Sequence, residues 1–174
     1  MLKVGIFDDF LDPNLLKQIS EWSLSIPYDH CYTNHNIWPS TVVNDSDCIY
    51  LKRINSDVPT EANFYKQVCN AVTNKLEYTK HLNFSISIHY CTQGAHIPWH
   101  NDGSHKHAIT IFLNSRWDRN NGGLFLFEDV IKNEIKAVVP TFNRAIELTG
   151  GVLHAVTATT KTSPIRRSIQ IFID

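Results

Sequence analysis

Near residue 83 the spacing of apolar residues changes, and this restricts the fold more than any other feature of the chain. Before it, Leu15, Leu16, Ile19 and Trp22, then Phe64, Val68, Val72 and Leu76, recur at the three- to four-residue interval of one helix face. After it, Phe84, Ile86 and Ile88 alternate with Ser85, Ser87 and His89, the period of a strand whose two faces differ. Asp12-Pro13 supplies an N-cap and a first-turn proline, and Pro27 forbids continuation, which predicts a helix over about 13–25. Thr60-Glu61 opens a second over about 61–79. Between them Cys31 to Asp47, rich in Asn, Ser and Thr with Tyr32, Trp38 and Pro39 interspersed, reads as a surface excursion.

Further short β runs are predicted at 108–113, 124–128, 135–139, 144–148, 152–156 and 168–173, parted by Asn120-Asn121-Gly122-Gly123 and Gly150-Gly151. With no helices interleaved, a doubly wound sheet is excluded. The pattern predicts a mostly β protein with N-terminal helices, a double-sheet jelly roll whose helices pack on one sheet. Residues 1–174 read as one domain, with 1–80 mainly helical support and 81–174 the jelly-roll core.

Sixteen Lys+Arg against seventeen Asp+Glu give a net charge of −1, too balanced to neutralise a run of phosphates, so no nucleic-acid partner is expected. No apolar run reaches the roughly 18 residues of a membrane span, and Asp8-Asp9 interrupts the start where a signal peptide would stay apolar. Cys31, Cys48, Cys69 and Cys91 form no Cys-x-x-Cys pair and read as reduced thiols. The expectation is a cytoplasmic protein without a membrane partner.

Six of the nine histidines fall between His81 and His107. In extended chain, residues two apart project to one side, so His100 and Asp102 can reach one ion. A neutral nitrogen and a hard oxygen suit a first-row divalent metal, and His154, returning on a later strand, is the candidate third ligand. The alternative is a surface His100 and a satisfied interior His154. His105 and His107 form a second, weaker His-x-His candidate in what reads as solvated loop.

The last strand adds an independent signal. Ile169, Ile171 and Ile173 should pack under the helices, which turns Arg166, Ser168 and Gln170 toward the interior. A buried guanidinium requires a partner anion, from the protein or from a ligand, unless Arg166 sits at the strand mouth and reaches water. Arg167, on the other face, reads as a surface charge.

Taken in order, Tyr90, His100-x-Asp102, Ile109-Thr110-Ile111-Phe112-Leu113-Asn114, Trp117, Gly122-Gly123, Pro140-x-Phe142-Asn143-Arg144, His154-x-Val156 and Arg166-x-Ser168-Ile169 resemble the Fe(II)/2-oxoglutarate-dependent dioxygenases, most closely the prolyl 4-hydroxylase-like branch. Ile6-Phe7-Asp8-Asp9-Phe10-Leu11 is similar to how such domains begin. The resemblance implies a double-stranded β-helix, cupin-like, binding Fe(II) through His100, Asp102 and His154. It implies 2-oxoglutarate chelating the iron, with its far carboxylate on Arg166 and Tyr90, Thr110 as a further contact, O2 as co-reactant and ascorbate as an accessory reductant. The interval of 12 residues from His154 to Arg166 is longer than the family's commonest and leaves Arg167 as a competitor for the carboxylate. Thr110 also stands closer to Leu113-Asn114 than the family's threonine does.

The implied substrate is a prolyl residue in a peptide or protein, with Trp38 and Trp99 as stacking candidates; a free amino acid or other small molecule is the second substrate class. A nucleic-acid demethylase of the same superfamily would carry a second arginine six residues after the first, where this chain has Phe172 or Ile173. The reading from another class is a non-catalytic cupin-like metal-binding module.

Overall fold

A computed structural model describes residues 3–30, 49–76, 82–103, 105–149 and 151–174. Along these residues run β1 (Val4–Phe7), α1 (Pro13–Trp22), β2 (Asp29–His30), β3 (Ile49–Ile54), α2 (Pro59–Leu76), β4 (Phe84–Cys91), β5 (Ile97–His100), β6 (His107–Phe112), β7 (Phe125–Asp129), β8 (Glu134–Val138), β9 (Ala145–Thr149), β10 (His154–Val156) and β11 (Arg166–Ile173). They form a seven-stranded sheet ordered β1-β9-β6-β11-β4-β3-β2 and a four-stranded sheet ordered β5-β10-β7-β8. Both are antiparallel throughout. This is the mostly β, two-sheet jelly roll that the change of period predicts.

Two cores hold the layers. On the outer face of the large sheet, α1 buries Leu15, Leu16 and Ile19 and α2 buries Val68 and Val72 against Ile86, Ile88, Ile109, Ile111, Ile169, Ile171 and Ile173. Each such side chain contributes roughly 1.5–3 kcal/mol by leaving water. Between the sheets lies the second core, with Ile49, Leu51, Cys91, Phe112, Ile146 and Leu148 facing Ile97, Phe125, Phe127, Val138 and Val156. The helices thus cover one sheet only.

Two buried asparagines close the framework at its corners. Asn143 accepts from Leu11 N at 2.8 Å and donates to Leu11 O at 2.9 Å, tying the segment before α1 to the turn that enters β9. Asn114 accepts from Arg167 N and donates to Ile165 O, both at 2.7 Å, which fixes the start of β11 against the end of β6. That second staple sets the position of Arg166.

Some boundaries differ from expectation. The first helix stops at Trp22, not near residue 25, because the Ser23 hydroxyl turns back to Ser20 O at 2.7 Å and caps it. The second starts at Pro59 and runs to Leu76; positions 77–79 of the prediction lie outside the described residues. The sequence pattern does not predict β1, β2, β3 or β5, since two to six residues give no clear alternation; their pairing partners decide them. The excursion with Tyr32, Trp38 and Pro39, together with Gly150, also lies outside the described residues. No helix among them is long and apolar enough to cross a membrane.

Candidate functional site

Strands β5 and β10 pair so that His100 and His154 stand opposite each other, with ring centroids 4.2 Å apart. Asp102, two residues beyond the end of β5, completes a triad whose ligand atoms all lie within 4.8 Å of one another. Its Oδ1 is 3.8 Å from His100 Nε2 and its Oδ2 is 3.4 Å from His154 Nε2. The two rings are oriented by the same device. His100 Nδ1 lies 2.8 Å from Pro98 O and His154 Nδ1 lies 3.0 Å from Val152 O. Since a carbonyl only accepts, each Nδ1 carries a proton, which leaves each Nε2 facing Asp102. Burial and the neighbouring His100 push the His154 pKa down, against the opposing pull of Asp102, which keeps its imidazole in the neutral form that binds metals. Phe125 stacks on His154 with an interplanar angle of 11°.

Two imidazole Nε2 atoms and a carboxylate are the donor set of a mixed N/O transition-metal site with open positions. Asp102 Oδ2 is buried without a hydrogen-bond partner. A buried, unsatisfied carboxylate oxygen is expensive unless a cation meets it. The residues present therefore fit a divalent ion.

The same cavity is lined by His89, Ile97, Thr110, Phe125, Val156, Arg166, Ser168, Gln170 and Phe172. Arg166 is buried to 2% exposure, and its Nε donates to Gly123 O at 3.1 Å. Its guanidinium lies 5.1 Å from the Phe112 ring centroid. Nη2 is buried and without a partner, and among the described residues no carboxylate pairs with this arginine. Burial lowers its pKa, with the Cys91 thiol acting the other way. Gly123 makes this placement possible: at φ 63°, a Cβ on it would stand 3.0 Å from Arg166 Cδ and 3.1 Å from both Thr159 Cγ2 and Trp117 Cζ2. The cation is clamped by backbone, ring and glycine, yet one side of it is electrostatically open.

Thr110 lies in this cavity, where its hydroxyl donates to Gln170 Oε1 at 2.7 Å. Tyr90 does not. It pairs with Arg167 across the β4–β11 ladder, so it takes the helix-facing side, 4.9 Å from the Tyr28 ring and 6.4 Å from that of Tyr50. Even-numbered β4 residues face the helices and odd ones face inward, and the interior place expected of Tyr90 is held by His89. Arg167 is likewise no surface charge and no competitor for the cavity. It is half-buried, and its Nη1 donates to Ser20 O at 2.9 Å and Ser23 Oγ at 2.6 Å on α1. Trp99 is 43% exposed and lies outside the cavity lining, and Trp38 falls outside the described residues. His105 and His107 do not form a joint site, because each bonds a different carboxylate, Asp174 at 2.7 Å and Glu147 at 2.9 Å.

The helix-covered, two-sheet jelly roll is a fold that this chain shares with solved oxygenases. Among solved structures, the chain is similar to a prolyl-4-hydroxylase of Pseudomonas putida at 16% identity, covering 98% of this chain and 91% of that one with a TM-score of 0.69. A 2OG-Fe(II) oxygenase family oxidoreductase from Burkholderia pseudomallei gives 14% identity, coverage of 98% and 84%, and a TM-score of 0.75. A prolyl hydroxylase from Trichoplax adhaerens, solved with a hypoxia inducible factor peptide fragment, gives 16%, coverage of 98% and 82%, and 0.76. At these identities the likeness establishes the fold. No family model and no curated protein matches the sequence.

Proposed function

We propose that this protein is an Fe(II)- and 2-oxoglutarate-dependent dioxygenase that hydroxylates a C–H bond, its substrate being a prolyl residue in a peptide or protein. One observation carries the reading: in a single cavity, a buried carboxylate oxygen of Asp102 and a buried guanidinium nitrogen of Arg166 are both left without hydrogen-bond partners. The first calls for a cation and the second for an anion. A metal chelated by one end of a dicarboxylate whose other end reaches the arginine satisfies both at once.

The residues divide the work. His100, Asp102 and His154 would hold the metal, with Pro98 O and Val152 O keeping both histidines in the ligating tautomer. Arg166 would take the far carboxylate, its position set by Gly123 and by the Asn114 staple. Ile97, Phe125, Val156 and Phe172 form apolar walls that limit water around the reacting atoms. When bound, iron and 2-oxoglutarate supply the oxidation, in which the cosubstrate is split to succinate and CO2 and one oxygen atom enters the substrate. The prolyl assignment rests on the shared fold with two prolyl hydroxylases, one of them solved in complex with a peptide fragment.

Under anaerobic conditions, Fe(II) and 2-oxoglutarate should give a visible charge-transfer band, and admitting oxygen should release succinate. His154→Ala should lose both while keeping its far-ultraviolet circular dichroism. A wild-type protein without the band would reduce the fold to a metal-binding module of another kind. A peptide array read by a 16 Da mass gain then tests the substrate: modification at proline supports the prolyl reading, and turnover confined to free amino acids replaces it.

A further inference from the structure

Among the side chains that line the cavity, His89 is a titratable one that neither the metal triad nor Arg166 uses. His89 of β4 stands opposite Ser168 of β11, one inward-facing rung from the Cys91–Arg166 pair. It is 7% exposed and lines the cavity with Arg166. Diagonal neighbours on one face of an antiparallel pair lie about 7–8 Å apart at Cα, close enough for an imidazole and a guanidinium to touch one small ligand. Among the described residues the ring is tethered at Nε2, which lies 3.1 Å from Ser87 Oγ. When the Ser87 hydroxyl donates to Nε2, the ring proton stands on Nδ1, and this is the tautomer that can bond an anion in the cavity.

The electrostatics favour a neutral ring. Burial first, and the Arg166 charge second, push the His89 pKa down to about 4, so at neutral pH it has one N–H to offer and adds no second positive charge beside the guanidinium. Phe112, beneath the guanidinium, has no polar atom, and the Thr110 hydroxyl is spent on Gln170. A carboxylate at Arg166 has more acceptor sites than Nη2 can fill.

Resting on the reading of this cavity as a 2-oxoglutarate site, we propose that His89 is the second anchor of the cosubstrate's far carboxylate, its Nδ1–H bonding the anion from the β4 side while Arg166 bonds it from β11. This assigns to His89 the part that motif spacing gives to Tyr90, whose ring lies on the other face of the sheet.

Calorimetry on the Zn(II)-loaded protein with two inert probes tests this. N-oxalylglycine spans from metal to arginine, whereas oxalate chelates the metal without reaching it. His89→Phe should weaken N-oxalylglycine by about 10- to 100-fold, as loss of one hydrogen bond to a charged group does, and leave oxalate within about twofold. His89→Gln, which retains an N–H donor, should recover most of the loss. In the unmutated protein, the His89 Nδ1-bound proton should move downfield in nitrogen-edited NMR when N-oxalylglycine is added. An unmoved proton, equal losses for the two probes, or an unaffected His89→Phe beside a crippled Arg166→Met would overturn the anchor alone. Failure of the wild type to bind N-oxalylglycine more tightly than oxalate would overturn the cosubstrate reading beneath it.

Discussion

Where β11 is most deeply buried, its two faces are chemically opposite. Ile169, Ile171 and Ile173 are at 0% exposure against the helices, and Arg166 and Ser168 are at 2% on the inner side. Burial therefore does not separate core from site here; the bonding of polar atoms does. Neighbouring arginines make the point within two residues. Arg167 is half-buried, yet its Nη1 is met by the Ser20 carbonyl and the Ser23 hydroxyl. Arg166 is fully buried, and its Nη2 has no hydrogen-bond partner among the described residues. Such an orphan suits a site that receives an anion, because an uncompensated buried charge costs several kcal/mol.

The sharpest way to break this contrast is to give the dry face the chemistry of the wet one. Ile171→Asp would put a carboxylate with no partner between sheet and helices, at a cost of several kcal/mol against a total stability of about 5–15 kcal/mol. Loss of a cooperative urea transition is expected, and a near-native midpoint would mean that the outer face is not the main core. The reciprocal change should have the opposite sign. Arg166→Met removes the orphan and keeps the volume, so the ligand-free protein should melt at the same or a higher temperature while 2-oxoglutarate affinity falls by about two decades. A clear drop in ligand-free melting temperature would show that a protein group already satisfies the guanidinium.

Much of this contrast could be read from sequence, because strand parity is a local property. The isoleucines of β11 point one way whatever the fold, so Arg166 had to point the other. The His100–Asp102 pair needed only two-residue spacing, and His154 needed only to lie on a strand that crosses back. The same parity in β4 already grouped His89 with Ser85 and Ser87 and set Tyr90 on the side of Ile86 and Ile88. Choosing Tyr90 let motif spacing override that alternation, and the register proves the alternation right. The environment of Arg167 was not legible: whether an outward arginine meets water or helix depends on where α1 docks, and that docking is made of contacts far apart in sequence. Nor could β1 and β5 be found, since neither has a hydrophobic pattern of its own until its partner strand is in place.

Acid should discriminate between the faces at intermediate cost. His89, with its pKa pushed down to about 4 by burial and Arg166, binds a proton less readily folded than unfolded, where about 6.5 is normal. The unfolded chain then holds more protons between those values, so stability is unaffected above pH 6.5 and declines as pH falls toward 4, by about 3 kcal/mol from this group. Urea midpoints across that range should fall in the ligand-free wild type and flatten in His89→Phe; an equal fall in both would assign the acid sensitivity elsewhere, to His154 in the first instance.

The smallest expected effect belongs to a third arginine, which is the control for the other two. Arg144 is bidentate to Asp8, with Nε at 2.6 Å and Nη2 at 3.0 Å, and it holds the Asp8 carboxyl below its usual pKa. Geometry alone would rank Arg144 the most tightly held of the three guanidinium groups. But the Asp8 side chain is 61% exposed, so water competes for both partners and salt screens them. Asp8→Asn should cost no more than about 1 kcal/mol, and raising the salt concentration should shrink the difference between variant and wild type. The pair's contribution is present above the usual carboxylate pKa and is lost as pH drops through the depressed value, at more acid pH than the His89 transition. If Asp8→Asn instead unfolds the chain as Ile171→Asp should, the Asp8–Arg144 contact is acting through the Asn143 turn beside it. Leu11→Ala, which keeps both Asn143 bonds to the Leu11 backbone, would then be the milder of the two.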